Sequence, residues 1–200
     1  IVIYSRIVRM TSFLIFPTMT LLAMLADPLI RLLLNDKWLP VIVLLQWISF
    51  ARIVTPISAL NMSILKVIGR SDLYLKVDLS KFPLIALALI ITIPLGIEAM
   101  VIGHVFTSVL SFFINAYMPG KLFGYGALKQ LKDMIPIFIS TIIMALVVFS
   151  VVKFLENLYL KLILGAITGV VSYLLMSNIL KTEEMKEIRS ILLNRSSSPN

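Results

Sequence analysis

Long apolar runs, separated by short polar and charged stretches, repeat from one end of this chain to the other. Each approaches the ~20 residues that a helix needs to cross the hydrocarbon of a bilayer. Six such spans are predicted. The first covers residues 10–34 and contains Pro17 and Asp27-Pro28. The second covers 39–65. The third, 82–95, contains Pro83 and Pro94 and closes at Gly96. The fourth covers 99–118, and two additional spans, about 135–152 and 162–180, occupy 134–180. The fold class predicted is all-α, a polytopic membrane protein with six transmembrane helices.

The segments between the runs complete this picture. Residues 1–9 read as the end of a loop or of an interfacial helix. The third span is short for a ~30 Å crossing, so it either extends back toward Asp78 or forms a kinked helix near a cavity. Pro119-Gly120 is expected to end the fourth span. The following stretch, 121–133, interleaves Leu122, Phe123, Tyr125 and Leu128 with Lys121, Lys129 and Lys132. That mixture predicts an amphipathic helix in the interface, with a solvated loop as the plainer alternative. Residues 1–133 are read as one portion of the chain, four spans and the segment after them. Residues 181–200 are read as a charged tail, a short helix followed by disorder.

Composition narrows the class further. Hydrophobic residues make up 60% of the chain and charged residues 14%, with a mean hydropathy of +1.02. A soluble domain is about 45–50% apolar and about 25% charged. The net charge of +8 does not point to nucleic acid, because the basic residues lie between apolar runs. There they report topology or contact with anionic lipid. With no cysteine, a thiolate metal site is excluded, and neither a metal nor a cofactor is expected. The chain opens Ile-Val-Ile-Tyr-Ser-Arg and reads as a piece of something longer.

Six spans define two sides. The start, the second-to-third loop (Lys66, Arg70, Lys76, Lys81), the fourth-to-fifth loop and the tail together hold thirteen Lys or Arg, against four on the other side. By the positive-inside rule both ends are predicted cytoplasmic.

The most informative stretch is 40–81. Its apolar half carries Arg52 near the middle, with Gln46, Ser49 and Asn61 around it. At about 100° per residue, Ser49, Arg52, Pro56, Ala59 and Ser63 share one helical face. A charge at mid-membrane costs roughly 2.5–3.5 kcal/mol on insertion scales, so it usually faces a bundle interior or an aqueous cavity. Arg52, Ser49, Gln46 and Asn61 are therefore the candidate substrate-contacting residues. A buried structural pair with a carboxylate elsewhere, or snorkelling, are the alternatives.

A second seam runs through Gly103, Thr107, Ser111 and Asn115, four apart, which suits helix packing. His104 beside it is the one histidine of the chain and a candidate for proton coupling. A hydrogen bond to a neighbouring helix is its plainer role. Gly165 and Gly169 form a further packing pattern. No HExxH, CxxC, GxSxG or P-loop pattern occurs, and no carboxylate pair is read at mid-span. Transport is favoured over catalysis.

The order of these features resembles the bacterial polysaccharide flippases of Wzx and WzxC-like type. These belong to the multidrug/oligosaccharidyl-lipid/polysaccharide export superfamily. The likeness rests on the Pro17-bearing span ending in Leu32-Leu33-Leu34-Asn35-Asp36-Lys37-Trp38, the following span with Pro56, the stretch Gly69-Arg70-Ser71-Asp72, and the run from Tyr125 to Asp133 before Ile135-Pro136. The resemblance implies a MATE-like transporter of 12 to 14 helices in two lobes, of which this chain is the latter part. It implies flipping of an undecaprenyl-diphosphate-linked oligosaccharide across the inner membrane by alternating access. Coupling to a proton or sodium ion and partnership with the rest of its own chain also follow. Cationic residues line the cavity in such proteins, and Arg52 fits that role. A cation-coupled multidrug antiporter of the same superfamily is the alternative, and a membrane-embedded glycosyl- or acyltransferase a more distant one.

Overall fold

The computed structural model describes residues 2–196, which form nine α-helices joined by short turns. Six segments among the described residues are long and apolar enough to cross a membrane. Helix α1 (Val2–Met24) leads into the short α2 (Ala26–Leu33). Then come α3 (Val41–Val67), α4 (Ser71–Ser80), α5 (Phe82–Thr92), α6 (Ile97–Phe123), α7 (Ala127–Phe154), α8 (Leu158–Ile179) and α9 (Glu183–Ser196).

The boundaries differ from the sequence reading in four places. Residues 2–9 are helical, so the first span starts at Val2 and not near residue 10. It also breaks at Leu25, because Pro28 has no N–H to give the Met24 carbonyl. Next, the basic stretch 66–81 is not a loop. Helix α4 runs into α5 through Lys81, giving a 25-residue span, Ser71–Leu95, in place of the short 82–95. Pro83 lacks the N–H that would bond back to Leu79, and the two helices meet there in near-helical geometry. Third, 121–133 is not a separate interfacial helix. Helix α6 continues through Pro119-Gly120 to Phe123, and α7 starts at Ala127. The stop is Gly124, at φ 66°, the left-handed cap that glycine adopts without a Cβ penalty. Fourth, Arg195 and Ser196, expected in a disordered end, belong to α9, and the rest of that segment, 197–200, lies outside the described residues.

The spans stand in a row: α8, α7, α1, α3, α6 and then the α4–α5 span. Lipid tails are as apolar as leucine, so close packing and hydrogen bonds hold membrane helices together. On the α1–α8 side, Leu21 of α1 and Leu25 at the break after it press on glycines of α8. A β-carbon on Gly169 would lie 2.7 Å from Leu21 Cδ1, and one on Gly165 2.7 Å from Leu25 Cδ2. Pro17 cannot donate to the Phe13 carbonyl, and the Tyr173 hydroxyl donates to that oxygen at 2.8 Å.

The end of the bundle that carries Arg6, Arg9, Lys66, Lys121 and Lys129 is the basic end. There α9 docks on α1 and α8. Arg6 Nε meets Glu187 Oε2 at 2.9 Å, and Arg9 Nε lies 3.2 Å from Glu184 Oε1 and its Nη1 3.9 Å from Asp133. The Tyr125 hydroxyl donates to Asp133 at 2.9 Å.

Candidate functional site

Helices α3 and α6 pack extensively on each other, yet they do not close on the α4–α5 span along its whole length. Near the basic end α4 packs on both of them. Leu65 and Val77 are buried there, with Tyr74 and Met118 against them. Beyond Lys81, α5 follows α6 and has little contact with α3. The approach of α5 to α6 is tight, since a β-carbon on Gly103 would lie 2.8 Å from Thr92 Cγ2. The two branches enclose a cleft of about 520 Å³.

Its lining is polar for the interior of an apolar bundle. Helix α3 contributes Thr55, Ser58, Ala59, Ser63 and Lys66, α4 contributes Tyr74 and Asp78, and α6 contributes His104, Thr107, Ser108, Ser111 and Asn115. Lys81 stands at the branch point. The Lys66 ammonium lies 4.1 Å from the centre of the Tyr74 ring, a cation–π contact. Lys81 Nζ meets Asp78 Oδ1 at 2.8 Å, one helical turn back, and the Lys81 side chain is only 13% exposed. Asn115 Nδ2 donates to Ser58 Oγ at 2.6 Å and ties α6 to α3. Among the described residues Asn115 Oδ1 is buried without a hydrogen-bond partner, so an acceptor is left over at the cleft wall.

The candidates drawn from the sequence do not gather here. Arg52, twelfth of the 27 residues of α3, is exposed and does not line the cleft. It shares its helical face with Ala59 and Ser63, which do. Ser49 is buried, and its hydroxyl donates to the Leu45 carbonyl at 2.7 Å. Gln46 is half-buried and its amide donates to Ala23 O at 3.4 Å, joining α3 to α1.

Asn61 is nine residues from Arg52, half a turn around the helix, and fully buried. It exchanges hydrogen bonds with Gln130 of α7, giving Nδ2 to Oε1 at 3.1 Å and taking Nε2 on Oδ1 at 2.8 Å. The Tyr4 hydroxyl also donates to Asn61 Oδ1, and Gln130 Nε2 reaches the Tyr125 carbonyl at 3.1 Å. These contacts lock α1, α3 and α7 together. His104 does line the cleft, and so does the seam of Thr107, Ser111 and Asn115 that spacing alone assigns to packing.

Lys66, Asp78 and Lys81 escape the sequence reading as site residues. All three fall in the stretch taken for the end of a span and a basic loop. Lys81 is the eleventh residue of the 25-residue span Ser71–Leu95. The signal that could have found it is the i, i+3 spacing of Asp78 and Lys81, which pairs opposite charges on one helical face. Among the described residues, no group of three or more His, Asp or Glu side chains could hold a metal ion.

Comparison with known proteins touches another part of the bundle. Residues 2–43, which form α1, α2 and the first turn of α3, match the model of a family described as polysaccharide biosynthesis protein. No curated protein and no solved structure matches this chain. The matched segment and the six apolar helices support a membrane role in polysaccharide biosynthesis.

Proposed function

We propose that this chain is part of a carrier, not an enzyme, that flips a lipid-linked oligosaccharide across the bacterial inner membrane by alternating access. The observation that carries this reading is the cleft: a polar hollow inside an apolar bundle, with Lys66 and Lys81 in its wall. Phosphates and sugar hydroxyls cross hydrocarbon only at a high desolvation cost. The two ammonium groups suit the diphosphate of an undecaprenyl carrier. The hydroxyls of Ser63, Ser108 and Ser111 and the free Asn115 oxygen suit sugar hydroxyls. The carrier's lipid tail would stay in the bilayer while its headgroup passes along the α3 face. Arg52 continues that face beyond Ala59, and the rest of the transporter would cover it. The basic end is then the cytoplasmic side.

Of the ionisable groups in the cleft, Asp78 is the carboxylate that suits a coupling cation and His104 the imidazole that suits a proton. Asp78 also favours the second reading, a cation-coupled multidrug antiporter, because it puts a carboxylate inside a span.

Export of surface polysaccharide by the full-length protein tests the first reading. The double variant Lys66→Gln/Lys81→Gln should lower export about tenfold or more at equal protein level, since hydrogen bonds to charged groups contribute about 1.5–3 kcal/mol each. Unchanged export sinks it. If Asp78→Asn abolishes drug efflux and spares polysaccharide export, the antiporter reading replaces it.

A further inference from the structure

On the flank of α4 and α6 away from the cleft, two adjoining hollows share Phe113 and Tyr117. The smaller one, about 440 Å³, lies between α4 and α6. Apart from Lys76 at one end and Ser80, its wall is apolar, with Val77, Ile114 and Met118. The larger one, about 590 Å³, reaches the basic end between α6 and α7 and is bordered by Lys121 and Lys129. Helices α6 and α7 come close here because both sides of the turn are glycine. A β-carbon on Gly120 would lie 2.9 Å from the α-carbon of Gly126. The Lys129 ammonium folds back toward Gly124, 3.9 Å from where a β-carbon there would sit.

We propose that this groove is a binding site for an anionic phospholipid. Its headgroup phosphate sits between Lys121 and Lys129, and one acyl chain runs over Tyr117 and Phe113 toward Ile114. Two observations commit the site to that occupant. The first is charge. Among the described residues, no carboxylate approaches Lys76, Lys121 or Lys129 within ion-pair distance. The acids of the basic end are engaged elsewhere, Asp133 with Arg9 and Tyr125, Glu184 with Arg9, Glu187 with Arg6, Asp72 with Arg70 and Glu183 with Lys186. The second is the order of polarity. Cations stand at the mouth, and an apolar wall runs about 12 Å along α6 from Lys121 to Phe113, at 1.5 Å per residue. A small anion would leave that wall unused, and an uncharged lipid would leave the lysines unused. Basic pockets between membrane helices bind anionic headgroups for the same reason. The site is separate from the cleft and does not depend on the transport reading.

The test is native mass spectrometry of the detergent-purified full-length protein, titrated with phosphatidylglycerol or phosphatidylcholine. The wild type should retain phosphatidylglycerol in preference. Lys121→Gln and Lys129→Gln should each weaken that retention about fivefold. Lys153→Gln, at the opposite end, should leave it unchanged. Phe113→Ser should weaken retention of the lipid, whereas glycerol phosphate alone should not bind. The three lysine-site and groove substitutions change exposed side chains, and gel filtration checks that the variants remain folded. Retention that is the same in the Lys121→Gln/Lys129→Gln double variant overturns the proposal. So does glycerol phosphate binding as well as the lipid.

Discussion

Helix α1 separates two differently built halves of the bundle. On its α7–α8 side, polar groups are consumed by the structure. The Tyr173 hydroxyl answers the carbonyl that Pro17 leaves free, Gln130 of α7 is answered by Asn61 reaching across from α3, and Leu21 fills the space over Gly169. On the α3–α6 side, hydroxyls and amides are as frequent, but they line a cleft that the α4–α5 span does not close. Helix α5 has no buried residue at all. The difference lies in pairing geometry more than in composition. Where side chains from facing helices match in size and hydrogen-bond partner, the helices close. Where α4 gives way to α5 at Lys81, they part.

Substitutions can break or sharpen that contrast. The largest effect is expected at Gln130. Gln130→Leu strands Asn61 and the Tyr125 carbonyl in a dry interior, at about 1–3 kcal/mol for each buried group left unpaired. A thermal unfolding scan in detergent should show a clear loss. Gly169→Leu is next, and Ser108→Leu is its partner experiment. On the packed side the added side chain meets Leu21 and Val148, the latter 3.0 Å from its β-carbon, and should cost about 1–3 kcal/mol. On the open side Ser108→Leu should leave the unfolding temperature near wild type and lower export. Equal destabilisation by both would mean that the cleft is ordinary packing.

Tyr173→Phe should be milder. A hydrogen bond between membrane helices averages about 0.6 kcal/mol and reaches about 1.7. A loss beyond that range would show that Pro17 strains α1 more than one unpaired carbonyl implies.

The smallest effect belongs to the α9 dock. Burial raises the Glu184 carboxyl above its ordinary value, and nearby Arg9 offsets this only in part. The folded form therefore holds its proton more tightly than the unfolded form. That contribution is full below the unfolded value and is lost as pH rises through the raised folded value. The exposed Glu183 behaves oppositely, since its pairing with Lys186 lowers its carboxyl and its contribution fades only at lower pH. Amide exchange in α9 should slow as pH falls from neutral toward the Glu184 transition, after correction for intrinsic rates. Glu184→Gln should remove that dependence. A pH response that survives the substitution would assign it to another group.

Much of the bundle is legible in the residues because spanning a bilayer is a one-dimensional demand. Each backbone amide must find its partner within its own helix, and apolar length alone marks where that happens. The six spans and the all-helical class follow from that demand. The site is less legible. Lys81 reads as the end of a basic loop until α4 and α5 are seen to form one span. Asn61 reads as a cavity residue until α1 and α7 close over its face. Tyr4 and Gln130, the other members of its lock, lie 57 and 69 residues away along the chain. The seam from Thr107 to Asn115 has the spacing of a packing stripe, and only the parting of α5 from α3 turns it into a wall.

By itself, then, the sequence determined the number of spans, the all-helical class, the asymmetry of positive charge and the glycine faces of α8. Those properties depend on composition and local period. The tertiary structure alone decided which polar residues are consumed in packing and which face open space. That choice depends on whether two distant helices meet at the depth where the residue sits.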